Sequence, residues 1–134
     1  MHDLSFEKLI FYNSGEPGIS IRVEVRIGSD SVVVDAKVDT GAALCIFERR
    51  LGERLGIEIE SGDPQRVNTV TGSFLVYRHE ATLITEDFEF DSPVHFAADE
   101  SFRRNILGRH GWLDRVIVGI NDYDGKLYLS GYDA

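Results

Sequence analysis

The sequence predicts an all-β fold with one or two short helices. Three observations carry this. Residues 19–27 alternate apolar and polar without a break, a β-branched run follows at residues 32–38, and the rest of the chain is punctuated into short apolar runs by glycine, asparagine and aspartate.

Taken in order, Ile19, Ile21, Val23, Val25 and Ile27 alternate with Ser20, Arg22, Glu24 and Arg26, the period of a half-buried strand. Gly28-Ser29-Asp30 supplies turn chemistry, and Val32, Val33, Val34, Ala36 and Val38 form a second strand leading into Asp39-Thr40-Gly41. Phe47, Leu51 and Leu55 recur at helical spacing and Gly56 sits where a helix ends, which predicts a short helix. Asp63-Pro64 reads as a loop. Residues 66–70 and 74–84 read as a long hairpin with Thr71-Gly72-Ser73 at its tip. Further strands are expected at residues 88–90, 94–97, 116–120 and 127–129, and a second short helix, containing Trp112 and Leu113, after Gly108.

At 134 residues the chain fits a single domain, 1–134, with no repeat, low-complexity tract or linker. Fourteen basic against 23 acidic residues give a net charge of -9, an average field that repels phosphates and anionic lipid, so neither nucleic acid nor membrane is an expected partner. Cys45 is the one cysteine, which excludes an intrachain disulfide and a multi-cysteine zinc site and makes a reducing compartment the default. The first residues are acidic where a secretory signal is basic, and the apolar run at residues 9–12 is too short to span a bilayer. A water-soluble, cytoplasmic protein is expected.

The strongest chemical signal is Val38-Asp39-Thr40-Gly41-Ala42. An acid at the end of an apolar strand loses hydration unless it is paired, hydrogen-bonded or used in catalysis. Read alone, Asp-Thr-Gly is a tight turn in which the aspartate bonds its own backbone. A second element, Asn105-Ile106-Leu107-Gly108, is read alone as a core strand ending at a glycine. Its Gly108 stands 67 residues beyond Gly41.

Together the run into Asp39-Thr40-Gly41-Ala42, the glycine-tipped hairpin and Ile106-Leu107-Gly108 resemble the retroviral-type, single-lobed aspartic proteases over about residues 19–129. The resemblance implies a closed-barrel-like acid protease (retropepsin-like) fold and a homodimer. It implies that Asp39 is catalytic and that Thr40, Gly41 and Ala42 form the supporting active loop. It places Val70, Thr71 and Gly72 in a substrate-covering flap whose inner surface is residues 67–76, and packs Ile106, Leu107 and Gly108 beneath the active loop. The chain departs from the viral pattern at Ala43 and Leu44, where some viral enzymes carry acids, which leaves Arg109 without that near partner. It also has an extension through Asn13 and a tail after Leu129, so the interleaved terminal strands of the viral dimers do not transfer directly.

Peptide hydrolysis by carboxylates needs one ionised group to take a proton from water and one protonated group to polarise the carbonyl. No second Asp-Thr-Gly or Asp-Ser-Gly occurs, so one chain supplies one acid and a two-fold axis would supply the other. The expected function is therefore an aspartic endopeptidase acting on extended peptide, with no cofactor and no metal. The alternative is a non-catalytic dimerisation or peptide-binding module on the same fold. A third reading, Asp39 as a turn residue of an unrelated β-domain, expects a monomer with Asp39 exposed.

Other constellations fail. His2, His79, His95 and His110 lack ligand spacing, and Asp122-Tyr123-Asp124-Gly125 has its glycine too early for a calcium loop and reads as a hairpin turn. Cys45, in the apolar run Leu44-Cys45-Ile46-Phe47, reads as a buried structural thiol.

Overall fold

A computed structural model describes residues 1–132. Ten strands, one α-helix and one 3-10 turn follow in the order β1 (Lys8–Phe11), β2 (Ser20–Ile27), β3 (Asp30–Val38), β4 (Ile46–Phe47), α1 (Arg49–Arg54), the 3-10 turn (Ile59–Ser61), β5 (Asp63–Thr69), β6 (Gly72–Thr85), β7 (Phe88–Ala97), β8 (Ile106–Leu107), β9 (Val116–Asn121) and β10 (Lys126–Gly131).

The main sheet runs β2-β3-β8-β4-β7-β6-β5, and β2 also pairs with β6 through Glu24↔Ile84, Val25↔Leu83 and Arg26↔Thr82. That extra pairing closes β2, β3, β8, β4, β7 and β6 into a ring. The 14-residue β6 makes closure possible, because its first half pairs with β5, its second half with β7, and its last residues reach β2. The barrel-like architecture expected from the sequence is present.

Alternation decides which side chains fill the ring. Ile21, Val23 and Val25 of β2 are buried while Arg22 and Glu24 point outward, and Val32, Val34 and Ala36 of β3 turn inward against them. Leu83, Val94, Phe96, Leu107, Trp112, Leu127 and Leu129 complete the core. Each such burial is worth roughly 1.5–3 kcal/mol. Trp112 can be fully buried because its indole N–H donates to the Thr85 hydroxyl at 3.1 Å.

Several expectations shift. Phe47 lies in β4 and the helix starts at Arg49, ending where Gly56 takes φ +75°. Asp63-Pro64 is the start of β5, not a loop; Pro64 is tolerated because β5 is an edge strand. Residues 88–97 form one strand that runs through Ser92-Pro93. The segment after Gly108 forms turns, not a second α-helix, since Gly111 at φ +116° leaves right-handed helical space. The hairpin tip is Val70-Thr71, earlier than the expected Thr71-Gly72-Ser73.

An unforeseen strand, β1, pairs antiparallel with β10 in a separate sheet ordered β1-β10-β9. The N-terminal extension is thus zipped onto the C-terminal strand of its own chain.

Candidate active site

Two short backbone segments meet at the mouth of the ring. Lys37 and Val38 at the end of β3 pair in parallel with Ile106 and Leu107 of β8. The chain leaving β3 then turns at Asp39, whose N–H donates to the Leu107 carbonyl at 3.0 Å. The Asp39 carboxylate is held by its own loop: Oδ1 accepts the Gly41 N–H at 2.9 Å, and the Asp39 carbonyl accepts the Ala42 N–H at 3.2 Å. One carboxylate oxygen is fixed and the other remains open.

The loop is carried on a second support. The carbonyls of Ala42 and Ala43 accept the N–H groups of Arg109 and His110 at 2.9 and 2.8 Å. The two backbones approach so closely that a Cβ on Gly108 would collide with the Leu44 carbonyl and lie 2.8 Å from the Ala42 oxygen. Leu107 and Gly108 are buried beneath the loop, whereas Ile106 turns to the cleft. At the start of α1, the Glu48 N–H donates to Asn105 Oδ1 at 3.1 Å and Asn105 Nδ2 donates to Glu48 Oε2 at 3.3 Å, tying the helix to β8.

Asp39 opens onto a cleft of about 810 Å³ between the active loop, the hairpin of β5 and β6, and the segment joining β7 to β8. Asp39 is the only carboxylate among the described residues that line it. Gly41 and Ala42 share the lining, and Leu44, Ile46 and Ile106 give it an apolar side. From the hairpin, Thr71 faces the cleft; Val70 stands at the tip in solvent and Gly72 opens β6 with φ +152°. Thr40 does not reach the cleft and borders a shallow recess with Arg109, His110, Leu113 and Asp114.

Asp39, Thr40 and Gly41 are exposed in the single chain. The desolvation argued from the apolar strand is therefore absent from one chain by itself, because the strand ends before the acid. Sequence reasoning also missed the polar wall of the cleft, to which Gln65, Arg66, Asn68, Arg103 and Arg104 contribute. The signal available was the basic pair Arg103-Arg104 immediately before Asn105-Ile106-Leu107-Gly108 in an acidic chain.

Cys45 is buried behind the active loop, with Sγ 4.0 Å from the Gly108 carbonyl, and burial pushes its thiol up to about 11. It is a packing residue and not a nucleophile. His79 and His95 are satisfied by the carbonyls of Ile59 and Cys45. No group of three or more His, Cys, Asp or Glu among the described residues could hold a metal ion, and no helix there is long and apolar enough to cross a membrane.

A family model described as aspartyl protease matches residues 23–110, the stretch from β2 through the active loop and hairpin to the second support. The chain belongs to the aspartyl protease family. Its fold is similar to that of a retropepsin-like aspartic protease from Rickettsia conorii, with a TM-score of 0.65 and 19% identity over 96% of each chain. It is also similar to the EIAV protease complexed with the inhibitor HBY-793, with a TM-score of 0.57 and 18% identity over 75% of this chain and 88% of that one. No curated protein matches the sequence. In this member of the aspartyl protease family, whose fold is retropepsin-like, the closed ring carries the Asp39 loop, and the long β5–β6 hairpin lines the cleft.

Proposed function

We propose that residues 1–134 form one domain of an aspartic endopeptidase that works as a homodimer, hydrolysing peptide bonds in extended segments held in the cleft. The observation that carries this reading is Asp39 itself: exposed, pinned at one oxygen by Gly41, and the sole carboxylate among the described residues lining the cleft.

The chemistry needs two carboxyl groups, and each chain supplies one. A second copy related by a two-fold axis brings the partner's Asp39 against the first, so that the pair shares one proton. The ionised Asp39 takes a proton from water as the water oxygen bonds to the carbonyl carbon. The protonated Asp39 gives its proton to the carbonyl oxygen. Collapse of the tetrahedral species breaks the C–N bond as the nitrogen takes a proton from one carboxyl and a diol hydroxyl returns its proton to the other, which restores the singly protonated pair with no covalent intermediate. Ala42 and Thr40 support the loop, Leu107 and Gly108 hold it from beneath, and Val70, Thr71 and Gly72 form the moving tip of the flap.

Asp39→Asn tests this reading. Purified Asp39→Asn keeps its fold by circular dichroism and loses at least about 10³-fold in kcat/KM against a peptide that the native protein cleaves. The native kcat/KM follows a bell in pH whose limbs belong to the pair. Native protein that binds peptide without cleaving any would establish the non-catalytic module instead.

A further inference from the structure

The cleft concentrates positive charge in an acidic protein. Arg66 on β5 and Arg103 and Arg104 on the β7–β8 segment line it, all three exposed, with Asp39 as the one carboxylate among the described lining residues. Among the described residues no carboxylate lies within 4.0 Å of any of these guanidinium groups. Most other arginines, including Arg26, Arg49 and Arg78, do have acidic partners. In a chain with 23 acidic residues against 14 basic ones, three unpaired arginines on one wall are out of keeping with the average surface.

Their placement is also fixed. Phe102, next to Arg103, stacks on Phe74 of β6 with centroids 5.0 Å apart and planes 23° from parallel. The segment bearing Arg103 and Arg104 therefore rests against the flap strand. Arg103 also borders a neighbouring recess with Glu48 and Glu100, but Glu48 is already engaged by Arg50 at 3.4 Å and by Asn105. Arg66 and Arg104 border no such recess among those resolved. Guanidinium forks match carboxylates in two-point geometry, and low-dielectric walls focus their field along a cleft.

We propose that the cleft selects peptide segments in which an apolar pair at the scissile bond is flanked by Asp or Glu, the acidic side chains being received by Arg66, Arg103 and Arg104. Leu44, Ile46 and Ile106 supply the apolar side. The inference rests on reading the cleft as a peptide site, and its test is independent of turnover.

The probe is a fluorescent decapeptide with a reduced, uncleavable bond between two leucines flanked by glutamates, compared with its glutamine counterpart by anisotropy on native protein. One exposed pair contributes a factor of roughly two to five, so three together give roughly a ten- to hundred-fold tighter Kd for the glutamate peptide at low salt. The advantage narrows to about two-fold in roughly 0.5 M salt. In the Arg66→Gln, Arg103→Gln, Arg104→Gln triple variant the ratio between the two peptides falls to about one. Equal affinities for the native protein, a preference that survives the triple variant, or binding of neither peptide overturns the proposal. Charge preference without any turnover would defeat the endopeptidase reading alone. Cleavage of neutral and acidic substrates alike, with equal affinities, would defeat this inference alone.

Discussion

Asp39 and Leu107 are joined by a 3.0 Å hydrogen bond from the Asp39 N–H to the Leu107 carbonyl, although 68 positions separate them in the chain. The acid is therefore placed by a non-local contact between β3 and β8, two strands that pair over only two residues. Anything that separates those backbones moves the carboxylate.

Gly108 is the point at which this arrangement is most sensitive. A Cβ there meets main-chain atoms of Leu44 and Ala42, which cannot rotate away as a side chain could. Gly108→Ala should lower unfolding free energy by more than about 2 kcal/mol, read from the urea midpoint at unchanged slope. Gly41→Ala meets only the Asp39 carboxylate, at 3.3 Å, and should cost less than half as much.

Acid stability should be limited by His95. Burial holds its imidazole below the ordinary value of 6.5, while Nδ1 lies 3.2 Å from the Cys45 carbonyl. Below pH 6.5 the unfolded chain takes up a proton that the folded protein refuses, so stability present above that pH is lost as pH falls. The slope from this group is at most about 1.4 kcal/mol per pH unit. His95→Asn keeps a donor in place of Nδ1–H but does not titrate. Its denaturation midpoint, whatever its absolute value, should fall less steeply than that of the native protein between pH 6.5 and pH 5.

The β5–β6 hairpin should move. β5 is an edge strand whose residues are exposed except for Val67, and Val70 at the tip is fully in solvent. Amides of residues 67–73 should exchange fast in the free protein and slow at least ten-fold when a reduced-bond peptide occupies the cleft. Strong protection in the free protein would remove the flap assignment.

Much of this was legible in the sequence for local reasons. The alternation over residues 19–27, the run into Asp39, the helix-ending Gly56 and the hairpin around Thr71 all express their structure in neighbouring residues. What escaped was non-local. β1 carries only four residues and is a strand because β10, at the other end of the chain, pairs with it. β4 is two residues long and leaves no periodic trace. Residues 88–90 and 94–97 read as two strands, yet Pro93 continues a single β7 opposite Glu80. The cleft arginines come from segments far apart in sequence, so their common wall became visible only when β5 and the β7–β8 segment were placed side by side.

In the proposed homodimer two chains share one site through Asp39. This sharing is tested by mixing native and Asp39→Asn proteins in equal amounts, confirming complete subunit exchange by native mass spectrometry, and comparing peptide cleavage with unmixed native protein at the same total concentration. A shared pair leaves only dimers of two native chains active, so the mixture should cleave at about one quarter of the native rate. A rate near one half would mean that Asp39 works within a single chain, and would contradict the shared site.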